Sequence, residues 1–76
     1  MKKNLPEHYT QLVKVNLRRL KQEKGWTTAD MSRVTGISEG YLNSLLSLKV
    51  NKVPTIYMLA VICETAHVEI EYFFQE

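Results

Sequence analysis

Apolar residues along this chain recur at three- and four-residue intervals rather than in alternation, which predicts helices. Val13, Leu17 and Leu20 form one such stripe, and Tyr9 extends it by a turn. A first helix is therefore expected from about Pro6 to Lys24, with Lys14, Arg18, Lys21 and Lys24 on its remaining faces. Pro6 suits a first turn, and Glu7 suits its positive end. Gly25 fits the position just past the helix, after which Trp26 returns to the core. Met1 to Asn4 reads as a loose leader. Met31 and Val34 share one face of a second helix, about Thr28–Val34, while Leu42 and Leu45 share one face of a third, about Glu39–Ser47. Pro54 forces a restart, and Thr55 can cap a fourth helix whose inner side is Ile56, Leu59, Ile62 and Cys63. Ala66-His67-Val68 reads as a turn, with His67 where a helix would favour glycine. A last short helix, about Glu69 to Gln75, is expected to bury Ile70, Phe73 and Phe74 like a lid.

The second and third helices meet the demands of a helix-turn-helix in order. Thr27 can cap the second helix, with Asp30 three residues on as the capping-box acid. Ser32 is small enough to let the next helix cross closely. Gly36 supplies a sharp turn without a Cβ to clash. Ile37 plugs the space beneath it, and Ser38 can cap the third helix. This motif carries the outer face of its second helix into the major groove of duplex DNA.

Seventy-six residues make one small domain, and the helical spacing makes it all-α. Cys63 is the single cysteine, so it forms neither an internal disulfide nor, alone, a metal site; it reads as a small core residue. No apolar run approaches the ~20 residues of a membrane span, and no signal-peptide core follows the amino-terminal lysines, so a cytoplasmic setting is expected. Charge is divided sharply. All ten Lys and Arg lie at or before Lys52, with only four acids among residues 1–53, leaving an excess of six positive charges. Residues 54–76 carry Glu64, Glu69, Glu71 and Glu76 and no base. Such polarity suits a protein that lays one side on a polyanion.

From about Val13 to Phe74 the chain resembles the Cro/phage-repressor type helix-turn-helix domain, the Xre family. The landmarks are Asn16-Leu17-Arg18-Arg19-Leu20…Lys24-Gly25, Thr-Gly-Ile-Ser at 35–38, Tyr41-Leu42, Pro54-Thr55-Ile56…Leu59…Ile62, and Val68…Ile70…Tyr72-Phe73-Phe74. The resemblance implies a compact five-helix, lambda-repressor-like domain over residues 1–76, with its motif at about 27–47. It also implies operator binding as a homodimer, most often to repress transcription, and small versions of this kind are frequent in phages, plasmids and other mobile elements. Four features depart from the family pattern. Glu39 and Gly40 stand where strong DNA binders are polar or basic, and Thr28 replaces a frequent glutamine. Leu46-Ser47-Leu48 replaces a common Glu-x-Gly helix ending, and the Lys49–Pro54 loop is longer.

Base contacts are expected from Ser38, Glu39, Gly40, Asn43 and Ser44, since Tyr41, Leu42 and Leu45 are wanted by the core or its edge. Asn43 suits adenine and Ser44 several bases; Glu39 either accepts from a cytosine amine or only stabilises the helix dipole. Gly40 either admits a close base edge or is a neutral surface position. Phosphate contacts are expected from Lys21, Thr27, Thr28, Arg33, Lys49, Asn51 and Lys52, ahead of Lys2 and Lys3. Tyr57, Met58 and Val61 are spare on the fourth helix, with Tyr72 nearby, so the fourth and fifth helices, about 55–75, are expected to form a dimer interface. The competing reading packs them against Leu5 to Tyr9. Leu46 and Leu48 either join that surface or fill the loop.

Catalysis is not expected: His8 and His67 fall in terminal or turn positions expected to be exposed, and no phosphate loop or metal-spaced cluster occurs. No cofactor, metal, membrane or small-molecule ligand is implied. The alternative to an operator-binding repressor is a protein-interaction module of the same fold, such as an antitoxin subunit, binding DNA weakly or only with a partner.

Overall fold

The computed structural model describes residues 4–76. Among these, four α-helices follow one another, α1 (Leu5–Lys24), α2 (Thr28–Thr35), α3 (Glu39–Leu46) and α4 (Ile56–Ala66), before a terminal 3-10 helix, Ile70–Phe74. The all-helical class holds, but the fifth element is a five-residue 3-10 turn rather than an α-helix. It has no side-chain cap and too few residues to repay α-helix nucleation.

Each α-helix begins on a polar residue whose side chain takes up a backbone N–H. Asn4 does so for α1, accepting from the Glu7 amide at 3.1 Å, so it is a cap and not part of a leader. The rest of the expected leader, Met1–Lys3, lies outside the described residues. Thr27 and Asp30 form the full reciprocal box, each side chain accepting from the other's backbone at 3.0 Å. These bonds hold the Asp30 carboxyl below its usual range, the Thr27 amide contributing most. Ser38 and Thr55 cap α3 and α4 in the same way. Three helices end in a left-handed residue: Gly25 at φ +69°, Gly36 at φ +77° and His67 at φ +60°. The last is the position at which the sequence called for glycine. Helix α3 ends without one.

The core gathers Val13, Leu17 and Leu20 of α1, Met31 of α2, Leu42, Leu45 and Leu46 of α3, Leu59, Ile62 and Ala66 of α4, and Phe73. Trp26 and Ile37 pack against it, as expected. Four residues expected inside are not, among them Tyr9, which was to extend the α1 stripe and is exposed. Ile56, in the first turn of α4, lies outside the packed layer and is 75% exposed. Phe74 is 42% exposed, because the tight 3-10 period turns only one of two adjacent phenylalanines inward. Ile70, at the start of that turn, is likewise exposed. Cys63 is half-buried; burial, reinforced by Glu69 and Glu71, pushes its thiol up and away from the reactive thiolate.

Helix α1 is the spine of the fold, and two of its polar side chains are buried. Asn16 donates to the carbonyls of Phe73 (3.0 Å) and Gln75 (2.9 Å), tying the terminal turn down. Arg19 lies 4.3 Å over the Tyr72 ring and donates to Gln75 at 2.7 Å, while the Tyr72 hydroxyl donates to Glu23 at 2.6 Å. Tyr9 meets Phe74 edge-on. His8 is not freely exposed but lies 3.3 Å from Glu76. The other buried polar residue, Lys14, had been expected on the solvent face; it is fully buried instead.

Candidate nucleic-acid interface

The turn at Gly36 folds α3 across α2, and Met31, Leu42 and Leu45 lock the pair from beneath. This leaves one polar strip outward. Ser38, Glu39, Gly40 and Asn43 are exposed, whereas Leu42, Leu45 and Leu46 are buried, as the three-to-four residue period requires. Ser44, expected on that strip, is half-buried, and its hydroxyl donates back to the Gly40 carbonyl at 3.4 Å. Tyr41 stands at the edge.

Beside the strip runs a shallow groove between the end of α1, the start of α2 and the end of α3. Lys21, Thr28, Asn43 and Lys49 all line it, so four of the expected contact residues from four segments of the chain converge on one concavity. Arg18, Gln22 and Ser47 line it too, beyond the residues expected there. Arg18 was legible, since it precedes Lys21 by three residues and so shares its helical face. Three bases and no carboxylate line this groove among the described residues.

The remaining expected contacts are more dispersed. Arg33 is exposed on α2 and pairs with Asp30 at 3.0 Å, an ion pair within one helix turn. Asn51 and Lys52 are exposed in the connecting loop, where the Lys52 ammonium lies 4.7 Å over the Tyr41 ring. That contact brings the loop back against α3 despite its length. Gln11 of α1 steadies the other end of the loop by donating to the Leu48 carbonyl at 3.3 Å.

The spine also reaches the end of α3. The Lys14 ammonium donates to the carbonyls of Ser44 (2.9 Å) and Leu45 (2.8 Å), and Arg18 donates to that of Leu46 (3.0 Å). Three of the four carbonyls a helix leaves unpaired are thus held by cations, which also face the negative end of its dipole. Burial holds the Lys14 amine below its ordinary value. This is the physical substitute for the missing glycine ending, and it places Leu46 in the core, with Leu48 exposed in the loop.

The sequence profile of the Cro/C1-type HTH DNA-binding domain matches residues 16–71, from the middle of α1 to the terminal turn. The chain belongs to that family. This Cro/C1-type domain is therefore a DNA-binding one, and the match spans the whole of the α2–α3 pair. No curated protein and no solved structure matches the chain closely enough to add a relative. No helix among the described residues is long and apolar enough to cross a membrane.

The residues expected at a partner surface fall into two places. Tyr57, Met58 and Val61 line a shallow depression with Thr35–Ser38 and Tyr41, on the flank of the helix-turn-helix. Leu5 to Tyr9 is not in that depression, and Tyr9 packs on Phe74 instead, so these residues do not cover the Tyr57 group. Tyr72 is engaged on α1 by Arg19 and Glu23.

Proposed function

We propose that this domain is a sequence-specific transcriptional regulator, a repressor that binds a palindromic operator as a homodimer. The observation that carries this reading is the continuity of the exposed strip Ser38, Glu39, Gly40 and Asn43 with the basic groove that Asn43 shares with Lys21, Thr28 and Lys49. In a docked complex the strip meets base edges while the groove follows the phosphates. Asn43 pairs with an adenine edge and Ser44 contributes where its hydroxyl turns outward; Glu39 accepts from a cytosine amine. Thr27, Arg33, Asn51 and Lys52 add phosphate contacts around the rim.

The dimer uses Tyr57, Met58 and Val61, to which the exposed Ile56 adds area; Tyr57 is 78% exposed. Exposed apolar side chains grouped this way on so small a domain are the kind of patch that a second copy covers. A twofold axis there sets two α3 helices about one DNA turn, ~34 Å, apart.

Selection of bound sequences from a random duplex pool tests the reading, with the enriched duplex then titrated against salt. The expected outcome is a palindrome bound at least about a thousandfold more tightly than random DNA, with log affinity falling linearly with log salt. A folded protein that enriches no sequence would sink the reading. The Ile56–Tyr57 face would then point to a protein partner, with DNA binding dependent on it.

A further inference from the structure

The cation at the end of α3 has a role beyond folding. We propose that Lys14, assisted by Arg18, is a positioning residue for DNA reading: it sets how far α3 projects from the body of the domain. The inference rests on the reading that α3 contacts bases.

Two observations carry it. Lys14 is fully buried, so its charge is not available to phosphate, and its ammonium is committed to α3, at 2.9 Å and 2.8 Å from the Ser44 and Leu45 carbonyls. Those carbonyls belong to residues immediately following Asn43, the exposed α3 side chain that also lines the basic groove. Helix α3 is only eight residues long, and its capped amino end is joined to α2 through the turn at Gly36. Its two ends are therefore fixed differently. The amino end is fixed by the turn, and the carboxyl end by a side chain from the middle of α1. Apolar packing through Leu42 and Leu45 resists separation but not a small slide or roll, because dispersion contacts are short-ranged and non-directional. A pair of directed, charge-assisted hydrogen bonds does resist it. Base reading tolerates little error, since a bidentate contact from Asn43 needs both atoms in place.

The test compares wild type with Lys14→Met and Lys14→Gln on two duplexes, the one enriched by selection and a scrambled one. Binding is read at low temperature, where circular dichroism verifies that each variant is folded. If wild type enriches no duplex, it is base reading by α3 that has failed. With an enriched duplex in hand, affinity for it should fall about tenfold or more in Lys14→Met, one base contact's worth, while affinity for scrambled DNA changes less than about threefold. The salt slope should stay at the wild-type value, whereas Lys49→Met lowers it by about one phosphate's worth. Lys14→Gln, which keeps an uncharged N–H donor group, should recover part of the loss. Equal loss on both duplexes, or no loss on either, overturns the assignment. If neither variant folds, the wild type decides by nuclear magnetic resonance. Slowly exchanging Lys14 ammonium protons correlated to the Ser44 and Leu45 carbonyl carbons, together with protection of the Asn43 side chain on binding the selected duplex, are expected. A rapidly exchanging ammonium overturns the proposal.

Discussion

The carboxyl ends of α2 and α3 solve one problem in opposite ways. Helix α2 stops at Gly36, whose left-handed backbone returns its own N–H to the Ser32 carbonyl at 2.8 Å. Everything needed lies within four residues. Helix α3 stops at Ser47 in extended conformation, and its last carbonyls are taken up by Lys14 and Arg18, roughly thirty residues earlier in the chain. A local ending makes a helix self-sufficient. A borrowed ending makes it dependent on the body of the protein, and here the dependent helix is the one proposed to read DNA. The strand of chain after α3 is thereby freed from the glycine stop and runs on as the loop carrying Lys49 and Lys52.

Breaking the borrowed end should have the largest effect. Lys14→Met keeps much of the packing volume but leaves two buried carbonyls unpaired, and should cost about 1–3 kcal/mol in denaturant unfolding. A loss near zero would mean that water or Arg18 replaces the ammonium. Breaking the local end costs somewhat less. At Gly36→Ala nothing lies within 4 Å of the added Cβ, so the penalty is only that of φ +77°, about 1–2 kcal/mol, with sequence preference on DNA unchanged. A shift in preference would show that the α2 end, too, is coupled to reading.

An amino-terminal cap outside the α2–α3 pair sharpens the contrast. Thr55→Ala removes the acceptor for the Met58 amide and should lower stability by about 1 kcal/mol, visible as a drop in melting temperature with wild-type DNA binding. The smallest effect concerns the terminal turn. Burial, then the hydrogen bond to Glu23, push the Tyr72 hydroxyl up to about 12 from an ordinary 10.0. The folded protein keeps this proton after the unfolded chain has lost it, so stability should fall as pH rises between about 10 and 12. Lys14 acts in the opposite sense below 10.5, because its folded form sheds a proton first. Tyr72→Phe should remove the first component from a pH series of unfolding curves and leave the second.

The sequence by itself determined what depends on near neighbours. The caps at Thr27, Ser38 and Thr55, the turns at Gly25 and Gly36, and the strained turn at His67 were all legible, because a cap or a left-handed turn is settled within four residues. The inward stripe of α3, and with it the outward position of Glu39, Gly40 and Asn43, followed from helical period alone. Tertiary structure decided the rest. Lys14 sits three residues before Leu17, within reach of the apolar stripe, yet composition gives a lysine every reason to be solvated; only the carbonyls of a distant helix make its burial affordable. Ile56 was expected inside and is outside because the core ends one turn further along α4. The terminal turn became 3-10 because side chains of α1, Asn16 above all, fix its carbonyls where no cap of its own exists. The gathering of Lys21, Thr28, Asn43 and Lys49 around one groove is likewise a product of three helices crossing, which no local pattern encodes.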